Sequence, residues 1–147
     1  MNNAFLSRLS AALTAEGGWH VASVWRSSPR GACPSIRASL WLDFFGMPRR
    51  LRGYRMLCEA VALCAARPTA AANPHCSVYP ALAKRLNATV AGVERNIRTS
   101  IETLWLHGNF DRLALLPAEI APDRGKPTNR QMIAALAELV INPPPLA

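Results

Sequence analysis

From Val93 onward the apolar residues fall at i, i+4, i+8, i+11 and i+12: Val93, Ile97, Ile101, Leu104 and Trp105. Only a helix brings that spacing to one side. Thr89 stands ahead of the run, where a side-chain oxygen can cap the first amides, and Gly108 ends it. Upstream, Tyr79-Pro80 opens a shorter helix to about Leu86, with the proline in the first turn, where its missing N–H costs nothing. Asn87-Ala88 makes the turn between the two. A small residue inside the first helix, Ala83, lets the second cross close over it. The stretch from Val78 to His107 is therefore a helix-turn-helix.

The pattern on either side is helical as well. Leu51, Tyr54, Met56, Leu57, Ala60, Val61 and Cys64 carry the apolar face of a long helix stopped by Arg67-Pro68. Two prolines break residues 68–76, and a short helical turn is expected at 110–116. Gly125-Lys126-Pro127 leads as a loop into Thr128-Asn129-Arg130-Gln131, a capping box. Met132, Ile133, Leu136, Leu139 and Val140 form the stripe of a last helix that Asn142 and three prolines end.

The composition changes near residue 50. Before it, the pattern predicts a helix over 3–15, a strand over Trp19 to Trp25, a loop over 26–35 and a second strand from Ile36 to Phe45. That is too little to close a sheet. The expected organisation is a mainly α protein, with a truncated α/β remnant at 1–52 and a helix-turn-helix domain at 53–147.

The chain has 147 residues, enough for one sizeable core or two small ones. Its longest apolar run, Val61 to Ala66, is far short of the roughly 20 residues of a membrane span. No charged n-region or apolar h-region opens it, so no secretion is expected and the cytoplasm is the expected compartment. The four cysteines, at 33, 58, 64 and 76, form no C-x-x-C pair, and with His75 they match no zinc spacing. Reduced thiols, no metal, no cofactor, no catalytic residues and no small-molecule substrate are expected. A formal charge of +8 invites a polyanionic partner. Eight arginines against two acids lie within residues 1–55, so the excess sits mainly in the first third.

Opposite the buried stripe, the first turns of the second helix present Glu94, Arg95, Arg98 and Thr99. N-terminal residues of a recognition helix are the ones that reach base edges in the major groove. An arginine can hold guanine through two bonds, worth about 1–3 kcal/mol of discrimination, and a glutamate can accept from cytosine. The same residues also suit an ordinary solvated face, with Glu94–Arg98 and Arg98–Glu102 as i,i+4 pairs.

Residues 53–141 resemble the C-terminal DNA-binding domain family of the sporulation master response regulator, stage zero sporulation protein A. The matching pieces are Gly53-Tyr54, Tyr79-Pro80, Ala83-Lys84, Asn87 and V-E-R-N-I-R at 93–98. They continue with Ile101-Glu102, Trp105, Gly108-Asn109, K-P-T-N at 126–129 and Ile133-Ala134. The resemblance implies an all-helical domain that binds a short box in double-stranded DNA, often as tandem copies. It further implies that Glu94, Arg95 and Arg98 face the major groove and that Lys126 lies near phosphate. Where the family carries a base-reading arginine just before V-E-R, this chain has Gly92, so one specific contact should be missing. Pro74 shortens the family's extra helix ahead of Tyr79.

The first 50 residues carry a weaker echo of a response-regulator receiver, in which Asp43 takes the phosphoacceptor position. No acidic pair to hold magnesium accompanies it, and phosphoryl transfer needs that neutralisation. The expected function is sequence-selective DNA binding that regulates transcription without phosphorylation control, by a homodimer or tandem copies where the family's habit holds. The alternative is a protein-interaction module or decoy that pairs with a full-length regulator through an open strand edge and binds DNA weakly.

Overall fold

The computed structural model describes residues 33–116, 120 and 125–142. The helix expected over 3–15 and the strand expected over 19–25 lie outside the described residues. Every regular element within them is a helix, and none is a strand.

The first helix, α1, spans Pro34–Phe45, where a strand was expected from Ile36 to Phe45. Its ends are well specified. Pro34 sits in the first turn, where its fixed φ suits a helix start. Gly46, at φ 95°, closes the other end: its N–H donates to Asp43 O at 3.1 Å, and Met47 N donates to Leu42 O at 2.9 Å. Those two bonds make a Schellman motif, which needs the left-handed conformation that glycine adopts freely. Trp41, Leu42 and Phe45 are fully buried, and each contributes about 1.5–3 kcal/mol or more by leaving water.

The second helix, α2, spans Arg52–Ala66 and forms the centre of the bundle, with Leu57, Ala60, Val61 and Cys64 fully buried. It packs against α1, against the second helix of the helix-turn-helix and against the last helix. After it, each of the two prolines opens a short helix rather than only ending one. A 3₁₀ helix runs over Pro68–Ala72, and α3 covers Pro74–Ser77.

The helix-turn-helix takes the expected form. Helix α4 spans Tyr79–Arg85 and α5 spans Val90–His107. Asn87, at φ 52°, makes the turn, and Ala88 N donates to Ala83 O at 2.8 Å across it. Val93, Ile97, Ile101 and Leu104 are fully buried, and Trp105 packs partly buried at the same edge. A single turn, α6 (Phe110–Leu113), follows. Arg112 locks it onto α1 by donating from Nη1 to Phe44 O at 3.0 Å, its guanidinium 4.6 Å from the centre of the Phe44 ring. The last helix, α7, spans Asn129–Ile141 and buries Met132, Ile133, Leu136 and Leu139 against α2 and α1. Residues on both sides of position 52 thus share one hydrophobic core.

Candidate nucleic-acid interface

The site is built on the first turns of α5. Thr89 accepts from Gly92 N at 3.0 Å and so caps the helix, as its place in the sequence predicts. Because Val93 and Ile97 point into the core, Glu94, Arg95 and Arg98 are left on the outer side. Arg95 is exposed and makes no ion pair among the described residues. Arg98 donates to Glu94 Oε1 at 2.8 Å, an i,i+4 pair whose arginine side chain is 49% exposed and whose glutamate is 23% exposed. Half-exposed pairs of this kind are worth only about 0.3–0.5 kcal/mol, so Arg98 can leave Glu94 at little cost.

The K-P-T-N segment brings α7 to the recognition helix. Lys126 Nζ donates to Glu102 Oε1 at 2.8 Å, and Pro127 is buried. That lysine holds the Glu102 carboxyl below its ordinary range. Thr128 and Gln131 form the full capping box: Gln131 N donates to Thr128 Oγ1 at 3.2 Å, and Thr128 N donates to Gln131 Oε1 at 2.9 Å. Asn129 Nδ2 then spends both hydrogens across the domain, donating to Glu94 O at 3.1 Å and to the Tyr79 hydroxyl at 3.2 Å. Burial pushes the Tyr79 phenol up, so it stays protonated as a neutral partner. One asparagine therefore fixes α4, α5 and α7 relative to one another.

Between α5 and the 126–130 segment lies a groove of about 300 Å³. Glu94 and Arg98 line one side, Lys126, Thr128 and Arg130 the other, and His75 of α3 stands at one end, edge-on to Tyr79 at 5.0 Å between ring centres. Neither Arg130 nor His75 was singled out from the sequence as part of an interface. Arg130 adjoins the K-P-T-N motif, which is the one local signal that pointed to it.

Asp43 stands apart from this groove. It lies on α1 and not at the end of a strand, which removes the geometric basis for a receiver-like phosphoacceptor. Its carboxylate accepts from Arg49 Nε at 3.1 Å, from Arg49 Nη2 and from the Tyr54 hydroxyl at 2.7 Å. The Arg49 guanidinium is held firmly protonated by that carboxylate. Asp43 is a staple joining α1 to the start of α2. Among the described residues no three of His, Cys, Asp and Glu cluster as metal ligands would, and no helix is long and apolar enough to cross a membrane.

A helical bundle that presents an arginine-bearing second helix of a helix-turn-helix, braced by a capped C-terminal helix, defines a DNA-binding domain of the helix-turn-helix class. Residues 39–140 match the family model described as sporulation initiation factor Spo0A C terminal, and the chain belongs to that family of DNA-binding effector domains in sporulation regulation. The match begins inside α1, fourteen residues before Gly53, where the resemblance first became visible in the sequence.

Proposed function

We propose that the protein is a cytoplasmic, sequence-selective transcription regulator whose DNA-binding unit begins at α1 and acts without phosphorylation of Asp43. Its partner is double-stranded DNA, occupied by one copy or by tandem copies. Thr89 caps the recognition helix, Arg95 and Arg98 meet base edges, Glu94 tunes selectivity, and Lys126 anchors the flanking backbone. The observation that carries this reading is the exposed Arg95, free of ion pairs among the described residues, on the outer side of a helix whose inner side is fully buried. A bidentate contact to guanine is worth about 1–3 kcal/mol, more than the surface pair that Arg98 gives up to make one.

The second reading, an interaction module that binds DNA weakly, loses one of the two strands it was based on, because α1 takes the place of the strand at 36–45, while the strand at 19–25 lies outside the described residues. It keeps two supports: Gly92 stands where the resemblance places a base-reading arginine, and Arg98 and Lys126 are both already paired with carboxylates. Fluorescence anisotropy on a duplex carrying the family's box and on a scrambled duplex, over a salt series, separates the two. Preference for the box, cut about five- to a hundredfold by Arg95→Ala, is the expected result. No binding to either duplex at moderate salt would overturn the regulator reading.

A further inference from the structure

We propose that the groove between α5 and the Lys126–Arg130 segment seats a backbone phosphate of bound DNA, with Arg130 as the cation that takes it. The inference rests on the DNA-binding reading and adds a contact residue to it. The position of the groove follows from the fold. Its near wall is Glu94 and Arg98, the outer side of the recognition helix, and its far wall is the start of α7. A duplex laid along the first turns of α5 must therefore run a strand past the mouth of the groove, because α7 is tied against α5 there by Asn129.

The charges decide which side chain serves. Three cations line the groove: Arg98, Lys126 and Arg130. Arg98 is held by Glu94 and Lys126 by Glu102, each at 2.8 Å. Arg130 is exposed and makes no ion pair among the described residues, so it alone meets an incoming anion without first leaving a carboxylate. It also sits in the first turn of a 13-residue helix, where open amides and the helix dipole favour negative charge. The guanidinium fork matches a phosphate's oxygens through two bonds. The groove's one carboxylate, Glu94, is already neutralised by Arg98.

A phosphate contact and a base contact leave different marks. A phosphate contact strengthens binding to every sequence and releases counterions, so losing it flattens the salt dependence. The test measures Arg130→Ala, Arg130→Lys and Arg67→Ala on the box and scrambled duplexes from low to moderate salt, with thermal melts of each variant. Arg67 is exposed and lines a separate cavity, so it reports the effect of lost net charge alone. Arg130→Ala should weaken both duplexes alike by about three- to tenfold and reduce the log–log salt slope by about one, with unchanged preference for the box and unchanged melting. Arg130→Lys should keep the salt slope but recover only part of the affinity, because lysine carries the charge without the two-bond fork.

An unchanged slope, or an equal loss in Arg67→Ala, would overturn the assignment. A loss confined to the box duplex would overturn it too, by making Arg130 a base reader. If the wild type prefers the box and Arg95→Ala weakens it while Arg130→Ala does nothing, only the phosphate seat falls. If the wild type binds neither duplex, the regulator reading falls with it.

Discussion

Gly92 occupies the third position of α5, and its N–H is the one that Thr89 caps. A Cβ built there would lie 2.9 Å from the Thr89 hydroxyl. That contact is tight, but it is with the end of a side chain that can rotate by a few degrees. Against it stands the gain of up to about 1 kcal/mol when a helix position changes from glycine to a residue such as arginine. The two nearly offset, so the fold should accept Gly92→Arg with its melting temperature changed by no more than a few degrees. Binding is a different matter, because the resemblance places a base-reading arginine at this position. Gly92→Arg should tighten binding to the box by about five- to a hundredfold and to the scrambled duplex much less, measured by anisotropy at fixed salt. Equal tightening on both would mean that the new arginine meets only phosphate. The cap at Thr89 and the outward placement of Glu94, Arg95 and Arg98 were legible in the sequence because a single periodic helix settles which residues face out. Arg130 and His75 were not, since the groove exists only when a segment 35 residues beyond Glu94 folds back onto it through Asn129.

At the scale of elements, α2 and α5 cross in close contact. Gly53, in the first turn of α2, faces Asn96 O and the Ser100 hydroxyl, and a Cβ there would come within 2.1 Å of each. Ser100 Oγ already donates to Asn96 O at 2.9 Å, so neither atom is free to withdraw. Helix propensity alone favours Gly53→Ala by about 1 kcal/mol, but a backbone carbonyl at that distance forces the two helices apart. Overpacking of this kind costs about 1–3 kcal/mol or more, so the clash decides the sign. Gly53→Ala should lower the melting temperature by several degrees and weaken box binding, because α5 carries the proposed base-reading residues on its far side. A variant as stable as the wild type would show that α2 and α5 can slide without loss. The same crossing explains why Gly53-Tyr54 was informative in the sequence while α1 was misread. Ala38, Leu40, Trp41, Leu42, Phe44 and Phe45 are all buried, so α1 is covered on several sides by α2, α6 and α7 and shows no amphipathic period. A short apolar run of that kind cannot be told from a strand by periodicity. What distinguished it was Pro34 at its start and Gly46 in a Schellman close at its end, together with the Asp43–Arg49–Tyr54 staple that only tertiary structure assembles.

Across the whole molecule, ionisable groups buried around α2 set how the fold responds to alkali. Burial pushes the Cys58 thiol up to about 12 and the Cys64 thiol up to about 11, from an ordinary value near 9.0. Burial, aided by the bond to Asp43, also raises the Tyr54 phenol. Each is an acid whose neutral form the fold prefers. Between pH 9 and the raised values the unfolded chain has released protons that the folded chain still holds, so stability must fall as pH rises. Their contribution is complete below about pH 9 and is lost progressively through pH 11–12. Thermal melts should therefore show little change from pH 7 to 8.5 and a drop of several degrees by pH 10.5, and Cys64→Ala should make that drop shallower. Its cost in packing at neutral pH is a separate, pH-independent offset, so the slope and not the midpoint carries the test. The same burial divides the thiols kinetically. Cys33 and Cys76 are exposed, and the bond with Ser35 lowers the Cys33 thiol, while Cys58 and Cys64 are covered by the core. A colorimetric disulfide reagent at pH 8 should find two fast thiols in the native protein, Cys33 ahead of Cys76, and all four only in denaturant. Rapid reaction of all four would mean that α2 leaves its place in the bundle often, and the alkaline drop should then be shallower, because thiols exposed in the native ensemble titrate nearer their ordinary value.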